Sequence, residues 1–489
     1  MDELNYFEAS LIITAGLIIF SVIASKASSR FGVPALLLFL LIGMTAGSHG
    51  LTILPVVGYP FAQQLGVFAL IFILFSGGMT TQMKSVKPVL KSSLILSTFG
   101  PIFSTAMIGF FSNQFLHFTL LEGFLLGATI SSTDVAAVFT VLRSKSISLK
   151  DGIAPLLELE SALNDPMTVF LGIGLLGLIT QKNHSLISLI PLFLQQMALG
   201  GILGWAFGKV GTFAINRIKL EFEGLYPVLT IGWILLTFAS TQYAGGSGFL
   251  AVYITGITLG NANLLHKKSL IHFHEGIAWL MQIAMFLTMG LLVSPAELLE
   301  VAPLGIALSL FLVFIARPLS VLLCLIRSNF NFNEKLVISW AGLRGAVPII
   351  LATYPFVAGI PQAGAMFNLV FFVTFISVLL QGASIPFVAR LLKVEVPFQE
   401  KFRFPIEFNP SQNIRNLTSK LIEVPIPPGS RIIGLTLLEL SLPSEILVIL
   451  IQRNGDVIVP RGGTQIMKDD TFLVLAENQS ADDIQKYLK

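Results

Sequence analysis

Thirteen apolar stretches follow one another along the chain, at 8–25, 33–48, 61–79, 88–112, 119–142, 152–180, 186–208, 224–243, 247–263, 272–293, 301–326, 335–357 and 364–391. A helix needs about 20 residues to cross roughly 30 Å of hydrocarbon, and these runs are of that order. Backbone in lipid must satisfy its own hydrogen bonds, so a chain built this way is confined to a bundle of transmembrane helices. With 54% of its 489 residues hydrophobic and 12% charged, it lies well outside the composition of soluble domains. The expected class is an all-α polytopic membrane protein.

Basic residues set the expected orientation. If the N-terminus is outside, the Lys and Arg residues of 26–30, 84–91, 143–150, 209–219, 267–268, 327–335 and 390–393 all face the cytoplasm. Lys182 alone falls in an external loop. Cytoplasmic loops collect positive charge, and missing or inventing one span would destroy the asymmetry. The C-terminus is therefore expected on the cytoplasmic side of the cell membrane. The net charge of +3 reflects topology and carries no nucleic-acid inference. Asp2, Glu3 and Glu8, without a cleavable signal pattern, suit an external N-terminus whose first span is retained. A single cysteine, Cys324, excludes a disulfide framework and offers no metal cluster.

Three segments are expected: a membrane domain over 1–393, a Pro-punctuated linker over 394–416 and a small α/β module over 417–489. In the module "LIEVPIP", "ILVILIQRNGDVIVP" and "TFLVLAE" have strand character, and Asn454-Gly455 marks a hairpin. "GLTLLELSLP" and "ADDIQKYLK" read as short helices.

Ionisable groups inside spans are costly and mark ion paths. This chain places Asp134, Glu158, Glu160, Asp165, Arg317 and Arg344 within them. On the sixth span Glu158, Ser161 and Asp165 stack on one helical stripe, and Glu160 and Asn164 on the next. Counted from Gly152, Asp165 lies about 20 Å in, near mid-bilayer, and Glu158 about 10 Å nearer the cytoplasm, where a water-filled vestibule could hydrate it. Pro166 removes a backbone donor and is expected to leave the Ala162 carbonyl without its helical partner. Carboxylates, a hydroxyl, an amide and a free carbonyl form a hard-oxygen site that suits an alkali cation or a proton.

In span five "ISSTD" sets four small or polar residues in a row, which no helical face hides from lipid. Span twelve has a matching interruption in "GLRGAVP". Broken helices seven spans apart are the mark of an inverted-repeat transporter that binds where the breaks cross. Glu160 with Arg317 reads more readily as a neutralising pair that specifies the fold. With two in-span arginines against several in-span acids, at least one carboxylate lacks a fixed partner. Desolvation penalises its charged form, as suits a group that must exchange a proton. His266, His272 and His274 sit among lysines near a loop and read as solvated, and the glycines of "GMTAG" and "GGILGWAFG" as close-packing positions.

"STDVAAVF", "LELESALNDPMTVFL", "ARPLSVL" and "GLRGAVPI", in this order and spacing, resemble the first family of monovalent cation/proton antiporters, in particular its bacterial NhaP type. The resemblance covers essentially the whole membrane domain. It implies inverted repeats with crossed, unwound helices, and a homodimer whose mobile core moves as an elevator against a scaffold. Matched by motif, Asp165 would bind cation or proton in turn, with Ser161 and the Thr133 backbone adding oxygens and Asp134 holding the site. Glu160 would pair with Arg317, and Arg344 would compensate the crossing helix ends. Asn164 beside Asp165 is the pattern that accompanies electroneutral exchange.

The tail resembles the C-terminal half of the regulators of potassium conductance, the TrkA-C type, through "IIGLTLLELSLP" and "IQRNGDVIVPRGGTQIMKDDTFLVLAE". That implies a cytosolic ligand, such as the cyclic dinucleotide c-di-AMP, and favours potassium over sodium alone as cargo. A nicotinamide cofactor is not expected, because no G-x-G-x-x-G follows a strand. A tail that only dimerises or stabilises the transporter is the plainer alternative. A ligand-gated cation channel is the main rival, but no T-V-G-Y-G filter run is present. No hydrolase motif, neither G-x-S-x-G nor H-E-x-x-H, lies on any span, so no enzymatic activity is expected.

Overall fold

Each of the thirteen apolar stretches is helical in the computed structural model, which describes residues 3–31, 35–47, 58–150, 152–180, 186–397, 419–426, 430–440, 442–443, 446–453 and 456–477. Among them nine helices are long and apolar enough to span a membrane, and four shorter apolar helices complete the set. In chain order they are α1 (Glu3–Phe31), α2 (Ala35–Ala46), α3 (Tyr59–Thr80), α4 (Met83–Phe115), α5 (Leu120–Ser144), α6 (Ile153–Thr180) and α7 (Leu189–Ile218). There follow α8 (Leu225–Tyr243), α9 (Gly248–Asn261), α10 (Lys267–Leu291), α11 (Pro295–Cys324), α12 and α13 (Ala363–Leu391).

Two of these are broken. α5 consists of α5a (Leu120–Ile130) and α5b (Val135–Ser144), and α12 of α12a (Phe332–Trp340) and α12b (Ala346–Val357). Both begin on the same device. Thr119 with Glu122, and Asn331 with Glu334, form reciprocal capping boxes that satisfy the first free N–H groups of each helix. The breaks at 131–134 and 341–345 then cross, and the Asp134 N–H donates to the Leu343 carbonyl at 2.7 Å. Gly345 is required there, since a Cβ on it would collide with the Asp134 carboxyl group.

The membrane helices pack around two separate apolar cores. One draws mainly on α2, α4, α5, α10, α11, α12 and α13, the other on α3, α7, α8 and α9. α7 lies on α9 through its glycines, as the sequence suggests: at Gly204 a Cβ would come within 2.6 Å of the Ala251 carbonyl oxygen, so the backbones touch directly.

Between α5b and α6 a short strand, β1 (Ile147–Leu149), pairs antiparallel with β2 (Glu395–Pro397), which follows α13 directly. The Lys150 N–H to Val394 carbonyl bond at 3.0 Å extends this ladder.

The second compact unit, Gln399–Lys489, carries an antiparallel sheet in the order β3-β6-β4-β5, from β3 (Ser419–Pro425), β4 (Ile446–Arg453), β5 (Asp456–Ile458) and β6 (Thr471–Glu477). Val424, Ile451, Phe472 and Val474 fill its core. The Asn454-Gly455 turn lies outside the described residues, but the strands flanking it pair with Arg453 opposite Asp456. Arg453 also grips the buried Asp470 through two 2.9 Å bonds.

Of the expected linker over 394–416, Glu395–Pro397 form β2, and residues 398–416, like the "ADDIQKYLK" segment, lie outside the described residues. "GLTLLELSLP" is not the helix its sequence suggests. Two of its N–H groups turn outward to a neighbouring segment, Leu437 to the Thr464 carbonyl and Leu438 to that of Gly462, so that tight turns and the one Leu440 to Thr436 bond stand in place of an i to i−4 ladder.

Candidate ion-binding site

The crossed breaks expose backbone carbonyls in the interior, and Arg344 answers them. Its side chain is 1% exposed and donates through Nη1 to the carbonyls of Ser131 and Ser132, the latter at 2.8 Å. One cation thus faces two helix-end acceptors, the favourable sign at the C-terminus of α5a. α13 holds the other break. Ser377 accepts from the Arg344 N–H at 3.2 Å, and Gln381, bonded to Ser377, donates to the last carbonyl of α12a at Trp340 at 3.0 Å. Gln381 sits in a π turn of α13, an irregularity common at functional sites.

α6 presents its two polar stripes to different surroundings. Glu160, 1% exposed, is clasped by Arg317 of α11, Nη1 to Oε1 and Nη2 to Oε2, each at 3.0 Å. Asn164, one turn on, donates to the Thr133 hydroxyl at 3.2 Å and to Glu160 at 3.5 Å, so it belongs to the ion-pair side. The Thr133 hydroxyl also faces Glu160, at 3.4 Å.

The other stripe, Glu158, Ser161 and Asp165, lines a cavity of about 480 Å³ together with Ser132, Thr133 and Asp134. Asp165 accepts from the Ser132 hydroxyl at 2.5 Å and, among the described residues, forms no ion pair. Ser161 donates to the Thr133 carbonyl at 2.8 Å and accepts from the Val135 N–H at 3.3 Å, pinning the α5 break to α6. Asp134 caps α5b through the Ala136 N–H at 3.0 Å. Ala162 lines the same cavity, and α6 stays helical through Pro166.

Sequence reasoning missed Ser132, Ser377 and Gln381. Ser132 lies inside the "ISSTD" run, but that run has no helical period from which to tell which hydroxyl meets Asp165. Ser377 and Gln381 sit four apart on an apolar helix, the one spacing that could have marked them as a pair.

His274 departs from the solvated reading. It is 1% exposed, bonds Thr230 at 2.8 Å and meets the Phe75 ring edge-on, because with Leu270 it occupies the inward face of α10. His266 bonds Glu223 at 2.9 Å and His272 lies 3.5 Å from Glu275. Among the described residues no group of three or more His, Cys, Asp or Glu could hold a metal ion.

A buried acid without a fixed cation, in a cavity beside crossed helix breaks, is an arrangement for carrying ions. Known families agree with it. Residues 16–391 match the sodium/hydrogen exchanger transmembrane family, and 421–489 match the TrkA-C domain. The chain belongs to the sodium/hydrogen exchanger family. It is a multi-pass membrane cation/proton antiporter with a TrkA-C tail, a transporter and not an enzyme.

It is 37% identical over 489 residues to the K(+)/H(+) antiporter NhaP of Alkalimonas amylolytica, covering all of this chain and 84% of that protein. It is also 37% identical to the K(+)/H(+) antiporter NhaP2 of Shewanella oneidensis over 98% of this chain and 82% of that protein. The solved sodium proton antiporter MjNhaP1 of Methanocaldococcus jannaschii superposes with a TM-score of 0.69 at 26% identity, over 79% of this chain and 99% of that one.

Proposed function

We propose that this antiporter exchanges potassium for protons, one for one, with Asp165 binding the two ions in turn. The observation that carries this reading is the contrast between two of the α6 carboxylates: Glu160 has Arg317, while Asp165 has a serine hydroxyl and open space. Asp165 takes up one positive charge whether a cation or a proton neutralises it, so one-for-one exchange on it alone is electroneutral. Asn164 stands beside Asp165 where a second acid would alter that count. Ser132, Ser161, Thr133 and Asp134 supply further oxygens around the cavity and suit a hard alkali cation. The names of the two K(+)/H(+) relatives favour potassium as cargo.

Movement follows from packing. Two apolar cores meet along α6, α10 and α12, so one can slide against the other as a unit and carry the site across the membrane as an elevator. A homodimer built on the second core would hold it fixed. The basic loops favour a cell-membrane orientation with the C-terminus in the cytoplasm.

The tail is a regulator that takes a cytosolic nucleotide of the cyclic dinucleotide class, c-di-AMP in particular. We take its influence to reach the site through β2, which ends the described part of the membrane unit and is paired to β1, the strand that joins α5b to α6.

The test is cation-driven proton movement in proteoliposomes, comparing potassium with sodium, wild type with Asp165→Asn, and clamped with unclamped membrane potential. Potassium exchange that disappears in the variant and ignores the clamp is the expected result. Sodium-only exchange would overturn the cargo, and steep voltage dependence the stoichiometry.

A further inference from the structure

Beside the cavity that holds Asp165 lies a second one of about 290 Å³, on the side of α5b that leads to β1. Thr80, Phe139, Arg143 and Glu158 line both. An ion passing from one cavity to the other must go through this collar. Glu158 is the one carboxylate, and Arg143 the one cation, among the described residues that line the second cavity.

We propose that the collar is an outer cation-binding station, in which Glu158 captures a monovalent cation on its way to Asp165 while Arg143 competes for the same carboxylate. The proposal rests on the antiport reading of Asp165. The carboxylate is already positioned: Thr81, 2% exposed, donates to Glu158 Oε1 at 3.2 Å, and the fully buried Tyr253 hydroxyl meets Thr81 at 3.3 Å. Oε2 takes no hydrogen bond among the described residues and is free to bind a cation. Arg143 makes no ion pair with Glu158, yet lies close enough for its charge to act on it. An arriving cation therefore meets one held, half-occupied acid and one repelling guanidinium, which together set its local concentration before it reaches Asp165.

The chemistry selects small hard cations. Glu158 shares the lining of the second cavity with Thr80 and Gln82, so carboxylate, hydroxyl and amide oxygens are available there to a partly hydrated alkali ion. A purely structural Glu158, acting only to hold Thr81 and Tyr253, would lack the opposing role for Arg143.

The decisive experiment measures the apparent KM for potassium of full-length protein in everted membrane vesicles, for wild type, Glu158→Gln and Arg143→Gln, with Asp165→Asn as the control for the main site. Glu158→Gln is expected to raise KM about fivefold, far more than it lowers the maximal rate, as for one partly screened charge. Arg143→Gln is expected to shift KM the opposite way, and both shifts should shrink when choline chloride is added to screen the collar. Unchanged KM in both variants, or parallel losses of maximal rate with KM fixed, would overturn the outer station and leave the antiport reading intact. Exchange that survives Asp165→Asn would instead overturn the antiport reading on which the station rests.

Discussion

Arg317 meets Glu160 with both of its terminal nitrogens, each 3.0 Å from a carboxylate oxygen, and neither side chain is more than 2% exposed. Removing one member leaves the other charged and buried, which costs about 3–5 kcal/mol. Arg317→Ala and Glu160→Gln should each lower the thermal unfolding midpoint of detergent-purified protein. The double variant Glu160→Gln with Arg317→Met should recover much of the loss, because no charge is then stranded. Equal midpoints for the single and double variants would mean that the pair is not acting as a unit.

Ser132 donates to Asp165 Oδ1 at 2.5 Å, a bond that favours the charged carboxylate, which on the proposed reading receives the cation. A hydrogen bond to a charged group contributes about 1.5–3 kcal/mol, so Ser132→Ala should raise the apparent KM for potassium about tenfold or more. Ser132→Thr keeps the hydroxyl and should recover part of the affinity. Vesicle transport at fixed pH measures both, and a Ser132→Ala variant with wild-type KM would remove Ser132 from the site.

In the tail, the backbone N–H and hydroxyl of Thr436 hold the exposed Glu439 carboxylate through bonds of 2.7 and 2.8 Å, and so keep it below the ordinary glutamate range. A carboxyl whose folded-state value is lowered contributes stability that is present above its unfolded value, about pH 4, and lost as pH falls through the folded value. Hydrogen exchange at residues 430–440 of the full-length protein should therefore be faster in Glu439→Ala than in wild type at pH 7. The two should converge at low pH, and a difference that persists there would assign the protection to packing.

How much of this is legible in the sequence depends on periodicity. The stripes of α6 separate by helical phase alone: Glu158, Ser161 and Asp165 line the cavity, while Glu160 turns to Arg317 and Asn164 to Glu160. The breaks are legible because "ISSTD" and "GLRGAVP" place polar groups where lipid would leave them unsatisfied. Phase is lost at those same breaks, and for that reason the Ser132 contact does not follow from the spacing. His274 misleads because its sequence neighbours Lys267, Lys268 and His272 are polar, whereas its helical neighbour Leu270, four residues earlier, is fully buried. In the tail the "TLLEL" run has helical spacing, but the Leu437 and Leu438 N–H groups find the carbonyls of Thr464 and Gly462, a long-range choice that local pattern does not encode.

The chain leads to the tail through β2, and β2 can be freed from β1 without removing the tail. Val396 faces Ser148 across the two-stranded ladder, in register with the Lys150–Val394 bond. Proline has no N–H to give to that ladder, so Val396→Pro should release β1 from β2 while leaving the chain continuous. If the tail acts through this pairing, Val396→Pro should show the exchange rate of a chain ending at residue 398, with both differing from wild type in the same direction. The pairing then transmits the tail's influence to the loop between Asp134 and Asp165. A proline variant with the wild-type rate, set against a truncated chain with an altered one, would send the signal by another path. Equal rates in all three would make the tail a stabilising appendage without a regulatory role.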